Sequence, residues 1–348
     1  MRLWRSGSKV TQPLRRNHHS SQAISSVLLP HQKMQQAPDP DTSASSSTIS
    51  ESVIPPFRRA FKYYKARKPP PDLSSVLDVR RHRSFKACAL NPPDTGVKEL
   101  QEELGLRSTD NWKLWEIRPG LRILPDIFTD QGTLYWTERC ITAYPCPPNV
   151  TNLDGAAPPH SMMEKKRPKL DCTDGEIQLE KLRWATLGYH YDWNAKLYRE
   201  EARTDMPAEL VRLVKLIASA LGYEHFQPEA AIVNYYNMKS TLSGHVDASE
   251  WTLSAPLFSI SLGQSAVYLQ GGPSLDSDPL PILLRSGDVL VLSDQERKAY
   301  HGLPRIVPDE KWATNKLGGE GNATNGTKIA EYLSANRINI TVRQVKRQ

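Results

Sequence analysis

The chain has 348 residues, 39% of them hydrophobic and 24% charged, which predicts a folded protein with one large domain and an appendage. A membrane-spanning segment is excluded because no run reaches about 18 apolar residues, and four scattered cysteines without a CxxC pair argue against a disulfide framework or a structural zinc site. A net charge of +7 and a pI of 9.1 favour an anionic partner.

The amino-terminal segment 1–56 is predicted to be a disordered tail. Its first acidic residue is Asp39, and the positions before it are rich in arginine and serine. That composition is typical of a mitochondrial transit peptide and equally of an ordinary basic tail. Positions 39–56, with two Pro-Asp pairs and a serine tract, predict a flexible linker. We expect an intracellular protein in the mitochondrion, the nucleus or the cytoplasm.

A two-faced helix is predicted over 57–68, before three prolines end it. Phe57, Phe61 and Tyr64 recur at i, i+4 and i+7 and so share one face of the helix. The opposite face, here called the basic face, consists of Arg58, Arg59, Lys62 and Lys65. Such a face can attract nucleic-acid phosphates, or it can simply be the solvated side of a docked helix. We assign 57–119 to an extension that precedes a main domain at 120–348.

Mixed elements are predicted in the main domain. A short strand at 121–124 is followed by a helix over 129–144, a loop over 145–180 and a second helix from about Pro207 to Leu221. The stretch 315–327 is predicted to be a flexible loop. Short strands are predicted at 231–236, 257–262, 266–270, 281–284, 288–292 and 337–343. Many short strands without intervening helices indicate a sandwich or a double-sheet jelly roll, in an α+β fold.

A metal site is indicated by His245 and Asp247, which are two positions apart and therefore point to the same side of an extended segment. His301 is the candidate third ligand, arriving from another strand. Two histidines and one carboxylate form the facial triad of non-haem iron(II) oxygenases. Taken alone, His301 is better explained as a surface loop histidine, and an isolated His-x-Asp is a weak signal in a chain with nine histidines.

A second polar pattern lies near the carboxyl terminus. Arg337, Asn339, Thr341 and Arg343 alternate with aliphatic residues and so share one face of a strand. That face can be solvated, or its two arginines can bind a dicarboxylate through bidentate contacts. Asn234 and Tyr236 also share a strand face and can donate an amide and a phenol to the same acid.

The order of these motifs resembles the AlkB family of nucleic-acid dioxygenases over about 57–345. Asn-Tyr-Tyr at 234–236, the Ser-Thr-Leu-x-x-His-Val-Asp run at 240–247, Gly-Gln-Ser-Ala at 263–266 and Ser-Gly-Asp at 286–288 are most similar to the eukaryotic subgroup called homologue one. The Phe-Arg-Arg-x-Phe-Lys-Tyr-Tyr segment at 57–64 and Glu-Lys-Leu-Arg-Trp at 180–184 resemble it too.

The resemblance implies a double-stranded β-helix core with helices on its outside. It implies Fe(II) on His245, Asp247 and His301, with 2-oxoglutarate and O2 as cosubstrates. It implies that 2-oxoglutarate is held by Asn234, Tyr236, Arg337, Asn339 and Arg343. It further suggests that Trp184, Tyr189 and Tyr191 belong to a lid over the substrate nucleotide, although these residues can also simply pack the edge of the domain.

One departure from the family bears on the substrate. The bacterial founder has an acidic residue two places after its ligand aspartate, where this chain has Ser249. The methylated base therefore cannot be carried over from the founder. Within the resemblance, tRNA or another RNA is favoured as the partner over DNA, and we expect a monomer that does not bind a membrane. The alternatives are a protein side-chain oxygenase and a nucleic-acid-binding protein with an idle pocket.

Overall fold

The structure, a computed structural model, describes residues 54–81, 85–91, 97–154, 178–313 and 325–347. The predicted tail up to residue 53 lies outside the described residues, as do 155–177 and 314–324 of the two predicted loops. None of the described helices has both the length and the apolar character needed to cross a bilayer.

Six helices are described: α1 (Pro56–Lys65), α2 (Val97–Glu103), α3 (Asp130–Glu138), α4 (Ala208–Ala220), α5 (Glu310–Ala313) and α6 (Asn325–Ala335). Fourteen strands are described: β1 (Lys86–Cys88), β2 (Leu114–Arg118), β3 (Leu121–Leu124), β4 (Val150–Thr151), β5 (Trp184–Asp192), β6 (Leu197–Arg203), β7 (Ala230–Asn237), β8 (Leu242–His245), β9 (Leu257–Gly263), β10 (Ser265–Gln270), β11 (Leu280–Leu284), β12 (Val289–Leu292), β13 (His301–Val307) and β14 (Asn336–Arg343).

The strands form two antiparallel sheets. The major sheet runs in the order β1-β2-β3-β12-β9-β14-β7-β5-β4, with β6 paired to β5, and the minor sheet runs β11-β10-β13-β8. From β7 to β14 the chain passes repeatedly between the two sheets, with β10 and β11 forming a hairpin within the minor sheet, which is the connectivity of a jelly roll. The predicted α+β class with a double-stranded β-helix core is confirmed.

The two faces of the major sheet have different roles. Val233 on β7, Ile260 on β9 and Ile340 on β14 pack with Leu213 and Ile217 of α4 in one large apolar core. Since side chains alternate along a strand, the intervening polar residues of β7 and β14 point away from the helices and towards the minor sheet. The helices thus cover one face, and the functional side chains occupy the space between the sheets.

Helix α1 docks as its aromatic pattern predicts. Phe57 and Tyr64 are buried, whereas all four residues of the basic face are exposed. The helix ends at Lys65 rather than at residue 68, because Arg305 of β13 donates to the carbonyl oxygens of Tyr64 and Ala66 at 3.4 and 2.6 Å. A strand residue therefore caps the helix before the prolines are reached.

Phe57 is seated against the minor sheet in a cradle of glycines. A Cβ atom on Gly244 would lie 2.6 Å from Phe57 Cε1, and one on Gly271 would lie 2.8 Å from Phe57 Cδ2. The Tyr300 ring is 6.4 Å away. Gly244 directly precedes His245, and Tyr300 directly precedes His301. The amino-terminal extension therefore packs against the backbone that carries both predicted histidine ligands.

Most predicted elements are present, with several differences. The helix over 129–144 is α3 continued by a π-helical turn at Arg139–Ala143. The loop prediction is wrong at 325–327, which begin α6 because this helix covers the major sheet with Ile329 and Leu333. Strands β5 and β6 were not predicted, since their sequences mix aromatic, charged and glycine residues. Cys146 is disulfide-bonded. This cross-link does not by itself make the disulfide framework that the sequence argued against.

Candidate functional site

The three predicted metal ligands meet at one point. His245 ends β8 and His301 begins β13, and these two residues are direct cross-strand partners in the minor sheet. Asp247 follows two residues after His245, with carboxylate oxygens 3.7 Å from His245 Nε2 and 3.9 Å from His301 Nε2. One ligand atom from each residue lies within 4.8 Å of the others. Two distant segments of the chain thus bring three potential metal ligands together.

Both imidazoles are held with the same nitrogen facing the cluster. His245 Nδ1 lies 2.9 Å from the Ser243 carbonyl oxygen, and His301 Nδ1 lies 3.2 Å from that of Ala299. A carbonyl can only accept, so each Nδ1 carries a proton and each Nε2 is the nitrogen left to bind a metal. Burial, with His245 adding to the effect, lowers the pKa of His301 to about 4. His301 is therefore neutral at physiological pH, as a metal ligand must be.

Asp247 is the anion of the cluster. Burial alone would raise the pKa of this carboxyl group, but the Arg343 guanidinium holds the pKa well below its usual range. Arg343 Nη2 donates to Asp247 Oδ2 at 3.1 Å. Two neutral imidazole nitrogens and one carboxylate are the donor set of a divalent iron site with open positions, so the residues present fit Fe(II).

The predicted cosubstrate residues line the face of the major sheet that looks towards the minor sheet. Tyr236 pairs in register with Arg337, and Asn234 pairs with Asn339. Burial raises the pKa of the Tyr236 phenol; the Arg337 guanidinium opposes this rise, and the Asp247 carboxylate adds to it. A row of donors extends along this face from the metal cluster.

Arg337 is the buried cation of that face. Its Nη2 donates to Ser261 Oγ at 2.7 Å and its Nη1 to the Gln264 carbonyl at 3.0 Å, yet its Nε has no hydrogen-bond partner among the described residues. Burial lowers the pKa of Arg337 to about 10, so it remains charged at neutral pH without any carboxylate hydrogen-bonded to it. A buried cation with an unpartnered N–H fits a small dicarboxylate such as 2-oxoglutarate.

The other cosubstrate candidates have different surroundings. Asn339 Nδ2 donates to Ser259 Oγ at 2.8 Å, and no hydrogen bond is made by the side chains of Asn234 and Tyr236 within the described part of the chain. Arg343 is already occupied, since Nη1 lies 3.2 Å from Glu250 Oε1 while Nη2 donates to Asp247. Its Nε is buried and has no hydrogen-bond partner among the residues that the structure describes.

The three predicted lid residues lie on β5, beside the space between the two sheets, here called the cavity, and differ in exposure. Trp184 is half-buried and is the cross-strand neighbour of Asn234. Tyr191 is half-buried, and its hydroxyl lies 3.2 Å from Ser249 Oγ. Tyr189 is only 1% exposed, with its hydroxyl hydrogen-bonded to Glu200. Only Trp184 and Tyr191 therefore present ring surface beside the cavity.

Several residues of the site were not predicted. Trp193, 45% exposed, contacts the rings of Trp184 and Tyr191 at 5.1 and 4.8 Å. No sequence pattern singled out Trp193, because it lies beyond the end of a strand that was not predicted. Glu250 and Arg297 are buried behind Asp247 and form an ion pair at 2.9 Å. Arg297 lies in a charged run, Glu-Arg-Lys at 296–298, that in sequence is indistinguishable from a surface loop.

Residues 120–343 match the profile of the 2OG-Fe(II) oxygenase superfamily. The chain is 32% identical over 329 residues to mouse "Nucleic acid dioxygenase ALKBH1", covering 83% of each protein. It is 33% identical to Arabidopsis thaliana "DNA N(6)-methyladenine demethylase ALKBH1A" and 32% identical to Schizosaccharomyces pombe "tRNA demethylase abh1", in both cases over 83% of this chain and 95% of the relative. The chain belongs to the AlkB family of 2OG-Fe(II) oxygenases, in its ALKBH1 subgroup.

Proposed function

We propose that this chain is an Fe(II)/2-oxoglutarate-dependent dioxygenase that demethylates, or oxidises, methylated bases in nucleic acid, with tRNA favoured over DNA. The observation that carries the proposal is the cluster of His245, Asp247 and His301 at the end of a buried polar face. Relatives named as a tRNA demethylase and as a DNA N(6)-methyladenine demethylase support the substrate class.

The proposed ligand sets are those of the sequence prediction. His245, Asp247 and His301 hold Fe(II), and 2-oxoglutarate is bound by Asn234, Tyr236, Arg337, Asn339 and Arg343. When bound, iron, 2-oxoglutarate and dioxygen together supply the oxidising power for a methyl group. A methyl group on nitrogen is then lost as formaldehyde, whereas one on a ring carbon is oxidised and kept.

The protein's own contribution is to bind, to orient and to exclude water. Arg337, deep in the cavity, offers a buried positive charge to the distal carboxylate of the cosubstrate. Trp184 and Tyr191 present ring surface beside the cavity, where a flipped or single-stranded base can stack. Tyr189, being buried, supports this rim rather than contacting a base.

The basic face of α1 is proposed to bind the nucleic-acid backbone. Its four cations are exposed along one side of the helix, whose other side packs on β8 and β13 beside the metal ligands. Phosphate contacts position a nucleic acid without reading its sequence. We therefore propose that 57–119 contributes the docking surface and 120–348 the chemistry, and that the enzyme acts as a monomer, since a single chain supplies both.

The decisive experiment uses tRNA carrying its natural methylations. The purified chain is incubated with ferrous iron, 2-oxoglutarate and air, and the tRNA is digested and its nucleosides are quantified by mass spectrometry. We expect loss or oxidation of at least one methylated nucleoside, matched by succinate formation, and neither with Asp247→Ala. Asp247→Ala should keep its affinity for tRNA, because the substitution leaves all four cations of the basic face in place.

The outcomes separate the alternatives. Succinate formation with unchanged tRNA and DNA, alongside a modified protein, would favour a protein side-chain oxygenase. No succinate with any methylated RNA or DNA would indicate an idle pocket. Either result would refute the proposed function.

A further inference from the structure

Four charged side chains form a continuous chain of ion pairs behind the metal ligands. Arg297 Nη2 lies 2.9 Å from Glu250 Oε2, and Glu250 Oε1 lies 3.2 Å from Arg343 Nη1. Arg343 Nη2 in turn lies 3.1 Å from Asp247 Oδ2. The side chains of Glu250 and Arg297 are 0% and 1% exposed. Burying two such charges is unfavourable unless a specific geometry repays it.

The chain of ion pairs holds Asp247 at two places. Arg343 donates to its carboxylate, and Arg297 Nη1 donates to its backbone carbonyl oxygen. Glu250 connects the two guanidinium groups, so neither can rotate without breaking a pair with a buried carboxylate. The orientation of the ligand carboxylate is therefore fixed from both the side chain and the main chain.

The same contacts join the three segments on which the site is built. Arg343 ends β14, and Arg297 lies in the turn before β13, four residues ahead of His301 (301 − 297). Glu250 lies three residues after Asp247 (250 − 247). Through these pairs, the loop carrying Asp247 is tied to the segment that delivers His301.

Charge balance gives Glu250 a second role. Asp247 and Glu250 supply two negative charges, and Arg297 and Arg343 supply two positive charges. A divalent cation bound to Asp247 would be repelled by both guanidinium groups, and the Glu250 carboxylate offsets the positive charge of one of them. Without the Glu250 charge, Arg343 would turn wholly to Asp247 and would compete with the metal for its carboxylate.

We propose that Glu250 and Arg297 are positioning residues of the metal centre: together they orient the Asp247 carboxylate, and Glu250 also neutralises Arg343, which raises the affinity for a divalent metal. The inference rests on the metal site of the proposed function. It concerns residues that do not touch the metal themselves, so it predicts a change in metal affinity that can be measured without turnover.

The test measures binding of Mn²⁺, a redox-stable divalent probe, to the metal-free full chain by calorimetry, without 2-oxoglutarate. We expect Glu250→Gln, which keeps the shape and removes the charge, to weaken Mn²⁺ binding about 10- to 100-fold, the usual effect of removing a partner of a metal ligand. Glu250→Asp should recover part of the loss. Glu209→Gln is the matched control, because Glu209 pairs with Arg139 at 2.8 Å in the helical layer, and it should bind Mn²⁺ like the wild type.

Arg297→Lys guards against a folding defect, since it keeps the charge and loses only the two-nitrogen fork. Folding of each variant is checked by circular dichroism, and we expect Arg297→Lys also to weaken Mn²⁺ binding. Folded Glu250→Gln or Arg297→Lys protein with wild-type Mn²⁺ affinity would overturn the inference and leave the metal site standing. If the wild type fails to bind Mn²⁺, or if Asp247→Ala binds it equally well, the metal site and the inference are both wrong.

Discussion

Replacing Gly244 with alanine tests whether Phe57 supports the metal-ligand strand. The added Cβ would lie 2.6, 3.2 and 3.4 Å from three atoms of the Phe57 ring, and these are its three nearest neighbours. The backbone of Gly244 does not have a left-handed φ, so the strain expected from the added Cβ comes from these ring contacts. Overpacking of this kind costs about 1–3 kcal/mol. We expect Gly244→Ala to lower the free energy of unfolding by that amount.

The effect of Gly244→Ala on the free energy of unfolding should change sign when the Phe57 ring is removed. Phe57→Ala alone should cost about 3–5 kcal/mol, because a ring that is 1% exposed leaves a cavity. In that background Gly244→Ala meets empty space, and alanine in place of a strand glycine stabilises by about 0.5–1 kcal/mol. Urea unfolding followed by tryptophan fluorescence on the four proteins gives the coupling energy, expected to be about 2 kcal/mol or more.

A second glycine, Gly120, with a left-handed φ of 86°, provides a control that is remote from Phe57 in its contacts. A Cβ on Gly120 would lie 2.6 Å from the Ser293 carbonyl oxygen and would not meet Phe57. Gly120→Ala should therefore cost the same with and without the Phe57 ring. An equal cost of Gly244→Ala in both backgrounds would refute the packing described for α1.

Four further outcomes are expected. Charge reversal across the basic face should weaken tRNA binding and flatten its salt dependence. The slope of log binding constant against log salt concentration should fall by up to about 3, at 0.7–0.9 per phosphate contact. A filter-binding series that leaves this slope unchanged would contradict the role. Arg337→Lys should raise the KM for 2-oxoglutarate about tenfold or more with smaller change in kcat, as steady-state succinate assays can check, because the lysine loses the bidentate fork. Native alkylation with iodoacetamide should label Cys88 before Cys140, since burial raises the pKa of the Cys140 thiol and thiolate is the reactive form; mass spectrometry showing equal labelling would count against the buried position. A reporter carrying residues 1–38 should enter mitochondria if this segment is a transit peptide, and diffuse fluorescence would exclude that role.

The metal cluster was predictable because short, fixed spacings in the sequence indicate which side chains share one side of a strand. The two-residue separation of His245 and Asp247 specifies a shared side, and the strict alternation of 337–343 specifies a polar strand face. The register that makes His301 the cross-strand partner of His245 depends on pairing between segments more than 50 residues apart. Spacing suggested that pairing, and only the folded structure shows it.

The surroundings of Asp247 could not be predicted. Glu250 and Arg297 are charged residues in charged stretches, a pattern that ordinarily indicates a solvated surface. Their burial follows from mutual pairing across three segments, which leaves no periodic signal in the sequence. Strand β5 escaped prediction for a related reason, since its central Gly188 has a φ of 71° and interrupts the pattern of its neighbours.

The seat of α1 has a consequence for how the polypeptide is made. Arg305 and Ala66, which meet at the end of this helix, are separated by 239 positions. At about 5–20 residues per second, ribosomes need roughly 12–48 s to synthesise that interval. Phe57 and Tyr64 thus emerge long before the surface that covers them exists. During that delay the newly synthesised segment exposes both its aromatic and its basic side chains and must be kept from aggregating. It is therefore a natural client for a co-translational chaperone.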